Sequence, residues 1–439
     1  MYYIFRLYFT AIIILMKSMK KILFLTTEKD SANGICTKTV MQEFAQKDFK
    51  IYFITNDLNP KNKNYIEDNI IYYTVRPRFV RYLELKNNKS AKNKLIKNIC
   101  FILNKMKLLM SYPTWPLISP LYTYRIYKLA KKICINEKID CIIPVYTQID
   151  TLIAAHFIKK QLNIKYIPYF LDSLSGGYGP KILSKNWVIK RGLKWEEILL
   201  SNADRIIMME SSRKHYEKYK DIIRFYNKIV FLDLPLLKQV DIKEKNNILK
   251  NDKINLVYTG SLPLHIRNPE YFIKVFKNIS NPNLRLYLIG VSESADKLKK
   301  YQNEDERIII VPHVTHDIAI SVINDADVLV NFGNNLPTMA PSKIFEYMST
   351  GKPIISTCPI KDEPSKAYLE KYPYHLFIFE DEGSDSAANK VDEFIKNNLG
   401  KRAKFEQIES LFFKNTPKVF FETIDKELNE KRNENSIHK

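Results

Sequence analysis

Cysteine is scarce in this 439-residue chain and poorly placed for pairing. The five cysteines (Cys36, Cys100, Cys134, Cys141 and Cys358) are dispersed, odd in number and never spaced Cys-x-x-Cys. That pattern argues against a disulfide framework and a thiolate zinc site, and for a reducing cytoplasm. The seven histidines include no His-Glu-x-x-His; His313 and His316 stand three apart without a recognisable ligand set, so no metal is expected. Long apolar runs are missing too. The run at 7–16 is far short of the ~20 residues a spanning helix needs, and no small-residue cleavage site follows it as in a signal peptide. Residues 1–18 read as an upstream-start extension or a weak membrane-touching tail ahead of "MKKILFLTT", a natural first strand. No internal repeat or low-complexity tract appears.

Acid is what the first half lacks. Residues 1–240 hold 41 Lys+Arg against 19 Asp+Glu, or +22, and residues 241–439 hold 28 against 29, or −1; the sum is the net +21. A codon bias towards Lys would enrich both halves. Confinement to one implies an anionic surface or partner for that part alone. The densest stretch, residues 76–110, has ten Lys or Arg and one acid. Within it Leu95, Ile99, Ile102, Met106 and Leu109 fall on one helical stripe, with Lys94, Lys97, Lys105 and Lys107 largely off it. Such a helix either lies on an anionic membrane or packs on a core with its lysines solvated.

The organised part alternates short apolar strands with amphipathic helical runs. In the second half the strands read "INLVYT" 254–259, "LRLYLIG" 284–290, "RIIIV" 307–311, "DVLVNF" 327–332, "PIIS" 353–356 and "LFIF" 376–379. The first half gives "KILFLT" 21–26, "IYFIT" 51–55, "IIYYT" 70–74, "CIIPV" 141–145, "KYIPYF" 165–170 and "RIIMM" 205–209. This predicts an α/β chain of two Rossmann-like, doubly wound domains facing each other across a cleft, 19–234 and 235–417. A final helix, about 418–432, is expected to pack back on the first domain. Segment 230–237, "VFLDLPLL", reads as the passage between them. Ligands of such sheets sit outside the carboxyl ends of the strands.

One stretch, "PSKIFEYMSTGKPII" at 341–355, joins a helix start to an anion-binding residue. Pro341 and Ser342 read as the start, with the Ser hydroxyl accepting from the first free amides. Ile344, Phe345 and Met348 take core spacing, Gly351 the left-handed stop, and Pro353 prevents continuation. Lys343 then stands where free N–H groups already favour an anion, with Glu346 one turn on.

Together with "VYTGSL" (257–262) and "DADVLVNFGN" (325–334), this stretch resembles the nucleotide-binding domain of GT-B glycosyltransferases, in particular the retaining group 1 transferases of bacterial polysaccharide assembly. "KKILFLTTEKDSANGICTKTVMQEF" resembles their first strand, glycine loop and helix, and "ADRIIMMESS" the end of their acceptor domain. The resemblance implies that Lys343 and Ser342 hold the diphosphate of a nucleotide-sugar and that Glu346 accepts from ribose hydroxyls. Gly34, Gly260 and Ser261 would admit the phosphates, Arg267 would be the second cation, and His313 and Val314 would meet the base. Arg267 and Lys343 would act catalytically on the leaving group, with no metal or other cofactor. On the acceptor side it points to Asp172 and Tyr146. Thr338 stands where the family commonly has the first Glu of Glu-x7-Glu, and Tyr146, Thr147 and Gln148 where a His is common.

The implied function is glycosyl transfer from a nucleotide-sugar to a lipid-linked glycan acceptor, with the protein peripheral on the inner face of the plasma membrane, as in capsule assembly. A nucleotide-sugar epimerase of the same architecture is the alternative enzyme. Nucleic acid is not an expected partner, because "KNNKSAKNKLIKN" lacks the interleaved aromatics that stack on bases. His156, on the Leu152/Ile153 face of a helix, reads as packed.

Overall fold

The computed structural model describes residues 19–430 except 28, 30, 59, 61–63, 88–92, 111, 147, 177–182, 240, 241, 243, 292, 293 and 337–341. The readings of residues 1–18, Thr147, Thr338 and Pro341 lie outside the described residues, as do the side chains of Lys94, Leu95, Lys97, Lys107 and Leu109. The chain forms two compact units, one of Met1–Pro235 with Pro417–Lys439, the other of Leu236–Thr416.

The first unit runs β1 (Lys21–Leu25), α1 (Ala32–Ala45), β2 (Lys50–Asn56), β3 (Tyr65–Glu67), β4 (Ile70–Val75), α2 (Phe79–Asn87), α3 (Asn93–Met110) and α4 (Pro120–Glu137). It continues through β5 (Cys141–Tyr146), α5 (Ile149–Leu162), β6 (Lys165–Tyr166), β7 (Tyr169–Phe170), α6 (Lys185–Leu200), β8 (Ile206–Met209), α7 (Arg213–Lys218) and β9 (Ile229–Leu232). Its sheet has the order β3-β4-β2-β1-β5-β7-β8-β9, with β6 also on β5; every pairing is parallel except β3 on β4. Helices cover both faces, so the inner strands are mostly apolar and buried, as in KILFL and CIIPVY, where only the terminal Lys21 and Tyr146 are partly exposed. The predicted strand 165–170 is broken: Pro168 interrupts it, and β6 and β7 are two separate pairs of residues. Segment 230–237 is not only a passage, since β9 closes the first sheet against β8.

The second unit comprises β10 (Ile254–Thr259), α8 (Glu270–Lys277), β11 (Leu284–Ile289), α9 (Ala295–Glu304), β12 (Ile308–Val311), α10 (His316–Asp325) and β13 (Val328–Phe332). Then come α11 (Lys343–Ser349), β14 (Ile354–Cys358), α12 (Lys366–Leu369), β15 (His375–Phe379), α13 (Ser384–Asn398) and α14 (Phe405–Leu411). All six strands are parallel in the order β12-β11-β10-β13-β14-β15. That is the Rossmann order, in which the winding reverses between β10 and β13 and the loops after those two strands diverge to leave a crevice.

The last described helix, α15 (Pro417–Asn429), belongs to the first unit. Phe421 packs against Phe44 and Phe49, at 5.0 and 5.7 Å between ring centroids, and Phe420 against Tyr169 at 5.0 Å. Glu427 accepts from Lys165 Nζ and Arg205 Nε.

Candidate active site

The site is built from backbone first. Gly260 and Gly290 follow the adjacent strands β10 and β11 with φ of +134° and +79°, conformations open to glycine and strained for other residues. A Cβ on Gly290 would stand 3.5 Å from the Gly260 nitrogen, so the two turns touch through bare backbone. Helix α11 is drawn to this point by Tyr347, whose buried hydroxyl accepts from the Thr259 N–H at 2.8 Å. Lys343, the first residue of α11, thereby passes within 3.8 Å (its Cγ) of where a Gly260 Cβ would be. Its Nζ lies 2.7 Å from Glu346 Oε2, with the two side chains 25% and 24% exposed. Ile344, Phe345 and Met348 are buried as expected, and Gly351 stops the helix at φ +73°.

Ser342 requires a correction. Its backbone is helical (φ −62°, ψ −24°), and the side chain makes no capping bond. A cap hydroxyl reaches the first amides from an extended backbone; Ser342 offers its carbonyl to Phe345 N–H instead, at 3.3 Å. With only seven residues in α11, the helix contributes little field of its own. Side-chain cations must hold an anion here.

The second cation is fixed from across the crevice. Arg267 Nε donates to Asn334 Oδ1 at 3.0 Å, and Nη1 donates to the Tyr258 hydroxyl at 3.0 Å and the Ser261 carbonyl at 3.4 Å. Tyr258 is the penultimate residue of β10 and Asn334 follows β13, so these bonds straddle the reversal point. The Tyr258 hydroxyl is 3.4 Å from the Gly260 Cβ position, which links Arg267 through Tyr258 and Gly260 to Lys343. Asn334 is itself buried and donates its N–H to Glu363 Oε1 at 3.2 Å. Glu363 also accepts from Ser365 N–H (2.8 Å) and Oγ (3.1 Å). Burial pushes its carboxyl up; the bonds from Asn334 and Ser365, and then the Arg267 charge, pull it back. Gly333 is required between them, because any Cβ would meet the Thr357 carbonyl and the Glu363 side chain. This shelf of Asn334, Glu363 and Ser365 behind Arg267 was not visible in the sequence, as Asn334 follows β13 while Glu363 and Ser365 follow β14.

The turn after β12 leaves His313 exposed and Val314 half-buried. His316, at the start of α10, is the imidazole coupled to the site: desolvation lowers its pKa, Glu346 raises it and Lys343 lowers it. Thr315 caps that helix, accepting from Ile318 N–H at 3.3 Å.

The remaining candidates belong to the first unit. Gly34 is in the first turn of α1, not in a glycine loop, and its N–H is taken by the Ser31 hydroxyl at 3.1 Å. Tyr146 ends β5 and stacks on Phe170 at 5.0 Å; Asp172 follows β7 and is exposed. Burial raises the Tyr146 phenol, and the nearby Glu196 and Asp172 raise it further. Glu196 went unnoticed in the sequence. Fully buried on α6, it accepts from Ser175 N–H (3.0 Å), Ser175 Oγ (2.7 Å) and the Tyr216 hydroxyl (2.7 Å), while His215 Nε2 lies 2.8 Å from Ser175 Oγ. Burial lifts its carboxyl to about 7. Gly192 lets α6 approach so closely, since a Cβ would strike Ser175 Cα. His156 is packed, with Nδ1 3.2 Å from the Leu199 carbonyl.

Comparison with solved structures places this architecture. Sucrose-phosphate synthase from Thermosynechococcus elongatus superposes with a TM-score of 0.58 at 14% identity, over 93% of this chain and 99% of that one. A glycosyltransferase from Rickettsia africae gives 0.59 at 12% identity, over 94% and 100%. Anabaena HepE, solved in complex with UDP and glucose, gives 0.54 at 12%, over 93% and 100%. No curated relative matches the sequence. The fold is GT-B. Residues 253–397, which hold Gly260, Arg267, Asn334, Lys343 and Glu346, match the family described as glycosyl transferases group 1.

Proposed function

We propose that the protein transfers a hexosyl group from a nucleotide-sugar to a lipid-linked glycan, with retention of anomeric configuration and without a divalent metal. It would do so as a peripheral protein on the inner face of the plasma membrane, in polysaccharide assembly such as that of a capsule. One observation carries this reading: Arg267 and Lys343 converge, through Tyr258 and Gly260, on the bare-backbone turns after β10 and β11, beside the reversal point of the second sheet. A diphosphate laid over those turns meets both cations. As the bond from the anomeric carbon to the phosphate oxygen breaks, negative charge grows on the leaving group where these donors are already held. The acceptor oxygen forms its bond on the same face of the sugar, and its proton passes to the departing phosphate. Glu346 accepts from the ribose hydroxyls, the turn at His313 and Val314 meets the base, and Ser261 and Ser342 line the phosphate path. Tyr146 and Asp172 serve the acceptor.

HepE was solved with UDP and glucose, so UDP-sugars are the first donors to try. The test is a thermal-shift panel of nucleotide-sugars followed by product analysis with EDTA present. Nucleoside diphosphate released together with a glycosylated lipid supports transfer. An isomerised sugar still attached to its nucleotide would make the protein an epimerase, and activity lost to EDTA and restored by magnesium would refute the metal-free mechanism.

A further inference from the structure

The described part of the apolar stripe of α3 faces outwards. Ile99, Ile102 and Met106 are 44%, 55% and 53% exposed and Phe101 is 59% exposed, whereas Cys100 on the opposite side is buried. The core-packed reading of this stripe therefore fails for its described residues. Lys105 Nζ sits 4.4 Å from the Phe101 ring centroid, placing an ammonium at the edge of the patch. The helix has four lysines and no acid in NKLIKNICFILNKMKLLM.

The loop after α3 carries the same character on to α6. Half-exposed Tyr112 stacks on half-buried Trp187 at 5.1 Å, and buried Trp115 supports the same indole from within at 5.6 Å. Arg191 pins the loop to α6 by donating to the carbonyls of Trp115 (3.0 Å) and Pro113 (2.7 Å). Residues 185–194 of α6 hold Lys185, Lys190, Arg191 and Lys194 without an acid, and the three lysines are exposed. Apolar, aromatic and basic side chains thus follow one another from α3 through this loop to the start of α6.

A contiguous exposed apolar patch implies a cover, and the three kinds of side chain select it. A nucleic acid would engage the lysines and aromatics but leave Ile99, Ile102 and Met106 in water. An anionic bilayer takes all three: lysines at the head groups, aliphatic side chains at the acyl boundary, and the exposed rings of Phe101 and Tyr112 at the interface. We infer that the outer face of α3, continued by the basic first turns of α6, is the surface by which this protein lies on an anionic membrane. The inference deepens the proposed lipid-linked acceptor and rests on that reading for its purpose, though not for its geometry.

The experiment is co-sedimentation of the full chain with vesicles of phosphatidylcholine, alone or mixed with phosphatidylglycerol. The wild type should sediment with the anionic vesicles at low salt and release as salt screens the attraction. Ile99→Ser/Ile102→Ser/Met106→Ser should lower partitioning about tenfold or more, with unfolding midpoint and nucleoside diphosphate binding unchanged. Lys105→Glu/Lys190→Glu, which alters only exposed charges, should lower it similarly and serves if the triple variant folds poorly. Equal binding to neutral vesicles, no binding at low salt, or variants that sediment like wild type would each overturn the inference. So would loss of self-association, or of oligonucleotide binding, as the only effect of the variants. Because nucleotide binding is read separately, failure of membrane attachment and failure of the donor site are distinguishable.

Discussion

Replacing Glu346 by Gln should pull the two halves of the proposed donor site apart. Lys343 Nζ and Glu346 Oε2 are 2.7 Å apart, and both side chains are about a quarter exposed. A pair this open contributes on the order of 0.2–1 kcal/mol, and a phosphate at Lys343 must displace or share it. Neutralising Glu346 removes that competition, so inorganic pyrophosphate should bind up to about fivefold more tightly. A nucleoside instead loses a charged acceptor for its ribose. Hydrogen bonds to charged groups contribute about 1.5–3 kcal/mol, so nucleoside affinity should fall about 10- to 150-fold. The nucleoside diphosphate combines both effects and should lose roughly 0.5–2.8 kcal/mol. Fold stability should stay within about 1 kcal/mol of wild type. Titration calorimetry with the three ligands at one low ionic strength measures all of this. If pyrophosphate weakens in step with the nucleoside, Glu346 acts by holding Lys343 in place. If nucleoside binding is unchanged, Glu346 does not meet the ribose. Either result refutes the assignment.

Two further outcomes follow from buried groups. Asn334→Ala should weaken nucleoside diphosphate binding while sparing nucleoside binding, and in a double-mutant cycle with Arg267→Ala the two losses should overlap, with a coupling of about 0.5–3 kcal/mol; strict additivity would show that Asn334 does not act through Arg267. Burial raises Glu196 from 4.5 to about 7, so the folded protein holds this proton more tightly than the unfolded chain does. Its contribution is therefore full below about pH 4.5 and is lost as pH rises through about 7. Urea unfolding across that window should show Glu196→Gln losing less stability than wild type, and parallel pH profiles would refute the shift.

The parallel strands of the second unit were legible almost to the residue. "INLVYT" is β10, and "LRLYLIG" runs one residue past β11. Fully buried strands are unbroken apolar runs, and helices with polar faces separate them. The first unit read less cleanly, because Pro168 splits one apolar run and because β3, a short antiparallel edge (YIE), has no apolar signature. Within the site, Lys343, Glu346 and Gly260 were legible because they lie in short motifs whose local conformation places them. Asn334 is 67 residues from Arg267, so their bond exists only once β13 is laid beside β10. Ser342 misled for a local reason, since a Ser before a helix reads as a cap whatever backbone it adopts.

The polypeptide leaves the first unit at Pro235 and rejoins it at Pro417, and Leu237 N–H bonds the Asn415 carbonyl at 2.9 Å where the second unit opens and closes. During synthesis this imposes an order. Residues 236–416 emerge as one uninterrupted stretch and can fold while still tethered to the ribosome. The first unit cannot be completed until α15, which follows them, has cleared the exit tunnel. Until then Phe44, Phe49 and Tyr169 lack the rings of Phe420 and Phe421 that cover them in the finished fold. The half of the protein made first is the half finished last, and its exposed aromatics are the surface a nascent-chain chaperone would have to shield.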